Sequence, residues 1–352
     1  MLPAGIFNTR YQQDKAIVRT RLQWVLLIGF LVLLYLLPGF GWKNSLFSIF
    51  NTIMCVIVAV LGLYLVTGLC GQINVGQAAL MAVGGYTTAV MTAQFGLSYW
   101  IALPCSAIVG ALVGLIFGLP SLRLKGFYLA VTTMAAHFII IWSVSHLPLS
   151  KWTGGFEGLS TPPPAFGDFV FATDRLWYYP VVTVTILMVF IALNLARSRF
   201  GRAWVAIRDN DLAAEVLGIN VFYYKLLAFV MCSAYAGVAG AMYAPVISAI
   251  SPDAFPFLDS IWMLGMLVVG GMSSVVGVIS GVVFLKGLNQ FVVINGPRLG
   301  DMLPFIGTGA ISSAGAIVFA LVIMLFLIFE PRGIAHRWQM FKVWYRLHPF
   351  PY

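Results

Sequence analysis

Apolar residues run through this chain in blocks of about twenty, each closed by a short break rich in glycine, proline or polar residues. The blocks fall at 24–40, 46–66, 78–94, 99–119, 126–146, 179–196, 225–247, 258–271, 275–294 and 305–329. As a helix, such a block is long enough to cross a hydrocarbon core roughly 30 Å thick. Lipid cannot satisfy a bare backbone, and no alternating ten-residue strand pattern occurs, so the blocks read as helices rather than barrel strands. The expected fold is an all-α integral membrane bundle of about ten transmembrane helices. Two stretches, near 67–78 and 265–275, carry glycine clusters inside apolar surroundings and read as broken or re-entrant segments. The division of 258–294 at Gly270-Gly271-Met272-Ser273-Ser274 also keeps both chain ends on one side.

Composition agrees with lipid as the main solvent. Of 352 residues, 61% are hydrophobic and 9% charged, where a soluble domain carries about 25% charged residues. The net charge of +9 does not point to nucleic acid, because the basic residues lie between the apolar blocks and form no RNA- or DNA-binding pattern. They report orientation instead. Threading ten spans from a cytoplasmic N-terminus places fifteen Lys and Arg residues on the cytoplasmic side, among them Arg10, Arg123, Arg197, Arg208, Lys225 and Arg337. Only Lys43, Lys151, Arg175 and Arg298 fall outside, as the retention of positive loops in the cytoplasm requires. The organisation is then a cytoplasmic segment 1–23, one transmembrane domain 24–329 with a cytoplasmic loop 197–224 and an outer loop 147–178, and a cytoplasmic tail 330–352. The run from Trp24 to Leu37 reads as a retained signal anchor, since some twenty polar residues precede it and no small-residue cleavage site follows. Cys55, Cys70, Cys105 and Cys232 lie in or beside apolar runs without metal-ligand spacing, and read as small apolar residues.

Three segments stand apart from lipid-facing helix. In 68–77, Gly68, Gly71 and Gly76 free the backbone, and Gln72, Asn74 and Gln77 bring amides to membrane depth. Such a segment either lines a translocation path or packs helices together through interhelical amide bonds. In 197–224, charges alternate with apolar positions. Asp209 or Asn210 can cap a short helix, Leu212, Val216 and the neighbouring Ala213 and Ala214 give it an apolar face, and Gly218 can end it. Trp204 and Ile207 are expected to add apolar contacts from the preceding turn, with Arg202, Arg208 and Glu215 as a charged rim. The segment either docks a partner or lies on the inner leaflet. The outer loop 147–178 is either a docking site or a solvated connector.

The missing chemistry narrows the function. No phosphate-binding Gly-x-x-x-x-Gly-Lys-[Ser/Thr] occurs, so ATP hydrolysis is not expected of this chain. Acidic residues fall in loops or at span ends, against a buried proton relay, and no metal cluster or nucleophile–base pair is legible. His137 is expected to bond to a neighbouring helix, with substrate binding as the alternative, and Lys286 to pair or to reach the interface.

The chain resembles the branched-chain amino acid ABC transporter permeases of the LivM type. The resemblance rests on Gly62-Leu63-Tyr64-Leu65-Val66-Thr67-Gly68 leading into Gly71-Gln72-Ile73-Asn74-Val75-Gly76-Gln77-Ala78-Ala79, on Gly201-Arg202-Ala203 through Ala213-Ala214-Glu215-Val216-Leu217-Gly218, and on Glu330-Pro331-Arg332-Gly333. It implies a bacterial inner-membrane importer core of this subunit with a homologous second permease, two cytoplasmic ATPases that bind ATP and magnesium, and a periplasmic binding protein. No cofactor is implied for this chain itself. The resemblance also implies that the 201–220 segment meets the ATPase, although Leu212 stands where the general Glu-Ala-Ala-x-x-x-Gly motif has Glu. A urea or small-amide channel and an ion-coupled transporter remain the alternatives.

Overall fold

The computed structural model describes residues 21–40, 43–121, 124, 126–146, 148–302, 308–330 and 333–347. Most of the expected N-terminal segment, together with Arg123, Lys125 and Arg332, lies outside the described residues.

The expected blocks appear as helices. Helix α1 is Arg21–Leu36, α2 Asn44–Leu63, α3 Gln77–Ala89, α4 Tyr99–Ser121 and α5 Phe127–Ser145. After the single turn α6, Ser150–Thr153, come α7 at Asp174–Arg197, α8 at Arg199–Asp209, α9 at Asp211–Val216 and α10 at Val221–Ile247. Then follow α11 Phe257–Gly270, α12 Val275–Met302, α13 Thr308–Phe329 and α14 Ile334–Leu347. Both α2 and α3 end in a wider π-helical turn, Tyr64–Leu69 and Val90–Gln94.

Seven described helices are individually long and apolar enough to cross a membrane, or eight if the bent pair α13–α14 is one span. That is fewer than the ten expected. The first block survives only as a short apolar helix, Trp24–Gly39. The third, α3, starts part-way through the bundle, because seven residues before it run in a non-helical path. The division of 258–294 is present: α11 ends at Gly270, Gly271 takes a φ of +107°, and α12 begins at Val275. The tail expected from 330 onward holds helix α14.

Helix α10 is the centre of the bundle, packed against α2, α3 and α4. In lipid no hydrophobic drive holds helices together, so close backbone approach has to supply the packing. A Cβ on Gly84 would sit 2.1 Å from the Gly237 carbonyl oxygen, and one on Gly240 only 1.9 Å from that of Met81. Gly110 and Gly114 of α4 meet Ser233 in the same way. Polar side chains add cross-links where the backbone is too distant: Thr88 and Ser106 hydroxyls lie 2.8 Å apart, and the Tyr235 hydroxyl donates to the Met188 carbonyl at 3.0 Å. Apolar residues also cover the outside. Ile101, Ile108, Leu112 and Ile116 form an exposed stripe at helical spacing along α4, the pattern of a lipid-facing surface.

The loop 147–178 departs from the all-helical expectation in a small way. Strands β1 (Leu159–Ser160) and β4 (Ala249–Ile250) pair antiparallel, as do β2 (Ala165–Phe166) and β3 (Phe169–Val170). The first pair ties the 147–178 loop to the chain just after α10.

Candidate functional site

The site grows from the break between α2 and α3. After Leu69 the chain turns at Gly71, whose φ of +74° is left-handed and whose Cβ would lie 2.8 Å from the Arg208 Cγ. It then returns into the bundle. By Gln77 it lies beside Ala59, whose carbonyl accepts the Gln77 Nε2 at 2.7 Å. Ala59 stands ten residues before Leu69, the end of the π-helical turn that closes α2, a separation of about 15 Å along the helix.

The polar side chains along that path bond to one another and to neighbouring helices, with one exception among their buried atoms. Thr67 donates its hydroxyl to the Gln72 carbonyl at 2.9 Å. Asn74 donates to Gln77 Oε1 at 3.1 Å and receives the Gly76 N–H at 2.9 Å. The Cys232 thiol of α10 sits between the two amides and donates to Gln77 Oε1 at 3.1 Å. Thr133 of α5 accepts from the Val75 N–H at 3.0 Å, and Ser260 of α11 from the Ala78 N–H at 2.9 Å. The exception is Gln72 Oε1, buried with no hydrogen-bond partner among the described residues. Asn74 and Gln77 are thus engaged in interhelical bonds, and Gln72 is the amide that faces open space. Cys232, read from the sequence as a small apolar residue, is a hydrogen-bonding member of this network.

A buried network loses more than one bond when a member is removed. Gln77→Leu strips the acceptor from Cys232 and Asn74 and the donor from Ala59. A destabilisation of about 2–3 kcal/mol is expected, read as a fall of roughly 5 °C in the unfolding midpoint of the detergent-purified protein. An unchanged midpoint would show that the network does not hold the break.

The second part of the site is α8–α9. Ser198 caps α8, and Asn210 caps α9 by accepting from the Leu212 and Ala213 N–H groups at 3.0 and 3.1 Å. Gly218 ends α9 with a φ of +83°, so cap and stop fall where the sequence puts them. The two apolar faces differ. Trp204 and Ile207 point into the chain with relative exposures of 0% and 1%, and Trp204 Nε1 donates to the Tyr224 carbonyl at 2.8 Å. Ala214 is also buried. They anchor the segment and do not extend its outer surface, contrary to the expectation from periodicity. Leu212, Val216 and Leu217 are instead 70%, 88% and 78% exposed. Ala213 and Glu215 share that outer surface, and Arg202 donates to the Arg197 carbonyl at 3.2 Å.

Arg208 joins the two parts. Its Nη1 donates to the Gly68 carbonyl at 3.0 Å, while Nη2 and Nε hold Asp209 at 3.0 and 3.2 Å. Beside it lies a polar cavity of about 130 Å³ lined by Gln72, Cys70, Arg208, Asp211 and Lys225 among others, with Lys225 and Asp211 paired at 2.6 Å.

The family model described as "Branched-chain amino acid transport system / permease component" matches residues 45–327, which includes both parts. The chain belongs to that family. The high-affinity branched-chain amino acid transport system permease protein LivM of Salmonella typhimurium is 32% identical over 287 residues, covering 75% of this chain and 67% of the relative. LivM of Escherichia coli strain K12 is 31% identical over the same shares. A probable branched-chain amino acid transport permease protein LivH of Methanocaldococcus jannaschii is 25% identical over 269 residues, covering 74% of this chain and 82% of that one.

As a LivM-type permease the chain is a multi-pass transport component. Of the two ionisable residues within spans, His137 sits differently from the sequence expectation, and Lys286 has the expected kind of charged neighbour. His137 is buried, but its ring packs edge-on to Phe257 at 5.4 Å and its Nδ1 has no hydrogen-bond partner among the described residues, so it makes no interhelical bond through that nitrogen. Lys286 of α12 interacts electrostatically with Asp259 at the start of α11. Thr133 and Ser260 went unnoticed in the sequence, and Cys232 reads there only as apolar, because a single small polar residue in an apolar helix carries no signal of its partner.

Proposed function

We propose that this chain is the membrane-spanning permease subunit of an ATP-driven importer in a bacterial inner membrane, passing branched-chain or related amino acids by alternating access. The observation that carries the reading is the projecting apolar tip of α9. Leu212, Val216 and Leu217 stand exposed at the end of a segment anchored through Trp204 to the start of α10 and through Arg208 to the α2–α3 break. A hydrophobic tip at the most basic end of a membrane bundle suits a soluble partner there, and the retention of basic loops makes that end cytoplasmic. Two ATPase subunits would take the tips of two permeases, this one and a homologous second permease. ATP and magnesium would be held by those subunits. A periplasmic binding protein would deliver substrate at the opposite end, on the loop braced by β1 and β4.

In this reading ATP acts by favouring one permease conformation over another, and the bias reaches the membrane only through contacts between α9 and the break. The sequence of events is docking of the loaded binding protein, closure of the ATPase pair, displacement of α8–α9 and opening of the path along 68–77.

The test is reconstitution of the permeases with the ATPases and binding protein in proteoliposomes. Uptake of labelled leucine, isoleucine or valine is expected only with ATP and binding protein present. Uptake that proceeds without ATP and without a co-purifying ATPase would favour the passive amide channel. Uptake that collapses with the proton or sodium gradient would favour ion coupling.

A further inference from the structure

The sequence groups Arg208 with the charged rim that meets a partner, but its side chain turns the other way. Its guanidinium holds the neighbouring Asp209 and reaches across 140 residues of sequence to the Gly68 carbonyl. Its stem fills the space a Cβ at Gly71 would need, so only glycine at 71 lets Arg208 lie this close to the break. Gly68 in turn leaves no room on its other side: a Cβ there would meet the Met272 carbonyl oxygen at 2.6 Å, in the turn between α11 and α12. That turn abuts the start of α14, where a Cβ on Gly333 would lie 2.6 Å from the Gly271 Cα. One guanidinium therefore stands between α8–α9 and a stack of two helix breaks.

We propose that Arg208 is a strut, a positioning residue that ties the α8–α9 segment to the α2–α3 break and keeps Cys70 and Gln72 covered until α9 is displaced. This rests on the importer reading for the source of the displacement, though the tie itself does not. Arginine suits the role because its planar fork can hold Asp209 and the Gly68 carbonyl at once, whereas a lysine ammonium gathers its three donors on one nitrogen at the end of a flexible stem. Opening needs no unfolding. Loss of the Gly68 bond frees the chain at Gly71, where glycine already permits the backbone to swing.

Cys70 gives a native reporter, because it lines the polar cavity beside Arg208 and is 2% exposed. The experiment uses the full chain in its complex, with Cys55 and Cys105 changed to alanine and Cys232→Ser to keep a hydrogen-bond donor beside Gln77. A charged methanethiosulfonate reagent is applied with and without trapped nucleotide. Cys70 is expected to react at least tenfold faster in the nucleotide-trapped complex. Arg208→Met is expected to raise the nucleotide-free rate by a similar factor and to flatten the response to nucleotide, and Arg208→Lys to fall between. Size-exclusion profiles matching the parent establish that the variants are folded, and Arg208→Lys carries the comparison if Arg208→Met does not pass. Nucleotide-free rates that are the same with and without the arginine overturn the strut, as does a nucleotide response that persists in full in Arg208→Met. If no ATPase co-purifies with the parent chain, the importer reading fails, while the nucleotide-free comparison still decides the strut.

Discussion

The double substitution Val216→Asp, Leu217→Asp is expected to abolish ATPase binding while leaving the permease folded. Both side chains are almost fully exposed and touch little of their own chain, so the isolated subunit loses no packing. A partner surface that covers them gains about 1.5–3 kcal/mol for each apolar side chain removed from water. The change forfeits that gain and adds the cost of desolvating carboxylates. Together they amount to at least about 4 kcal/mol, or roughly a thousandfold in affinity. The measurement is co-purification of the ATPase subunits with a tagged permease, with thermal unfolding of the permease alone as the control. An intact complex would show that α9 is not the docking tip, and would leave an interfacial helix on the inner leaflet as its role.

The second large effect is expected in the bundle centre. Gly240→Val puts a branched side chain where even a Cβ would stand 1.9 Å from the Met81 carbonyl oxygen and 2.7 Å from the Gly85 nitrogen. Both are backbone atoms, so α3 and α10 have to move apart, and the Gly84–Gly237 contact one turn away opens with them. A loss above about 3 kcal/mol follows from overpacking of this kind, read as an unfolding midpoint lower by about 5–10 °C or as failure to yield a monodisperse peak. Gly29→Ala is the matched control. Nothing lies within 4 Å of a Cβ at Gly29 in α1, so alanine is expected to be neutral or slightly stabilising through its helix propensity. Equal damage at both positions would mean that the close α3–α10 approach is not what holds the centre.

These two predictions mark where the sequence was legible and where it was not. The apolar blocks, the split at Gly270-Gly271 and the Asn210 cap follow from length, glycine and local hydrogen bonding, all of which act within a few residues. Periodicity also gave α8–α9 their apolar faces, but it cannot say what covers a face. That is why Trp204 and Val216 look alike in the sequence, yet one is sealed beneath Tyr224 and the other stands in the open. The route of 70–76 back into the bundle was equally hidden. It depends on Ala59, Thr133, Cys232 and Ser260, which come together only once α2, α5, α10 and α11 have packed. The Arg208–Gly68 bond spans 140 residues, and no local pattern announces it.

Helix α10 has one more consequence. It is continuous from Val221 to Ile247, a rod of about 40 Å. One end leaves directly from Asn220 and the α9 stop, and the other runs into β4, whose Ile250 is in register with Leu159 of the opposite loop. News of an arrival at one face and of a power stroke at the other would thus be written on the same rigid body. A distance from each of its ends to a fixed point elsewhere in the bundle would read the two messages separately, and would tell which was sent first.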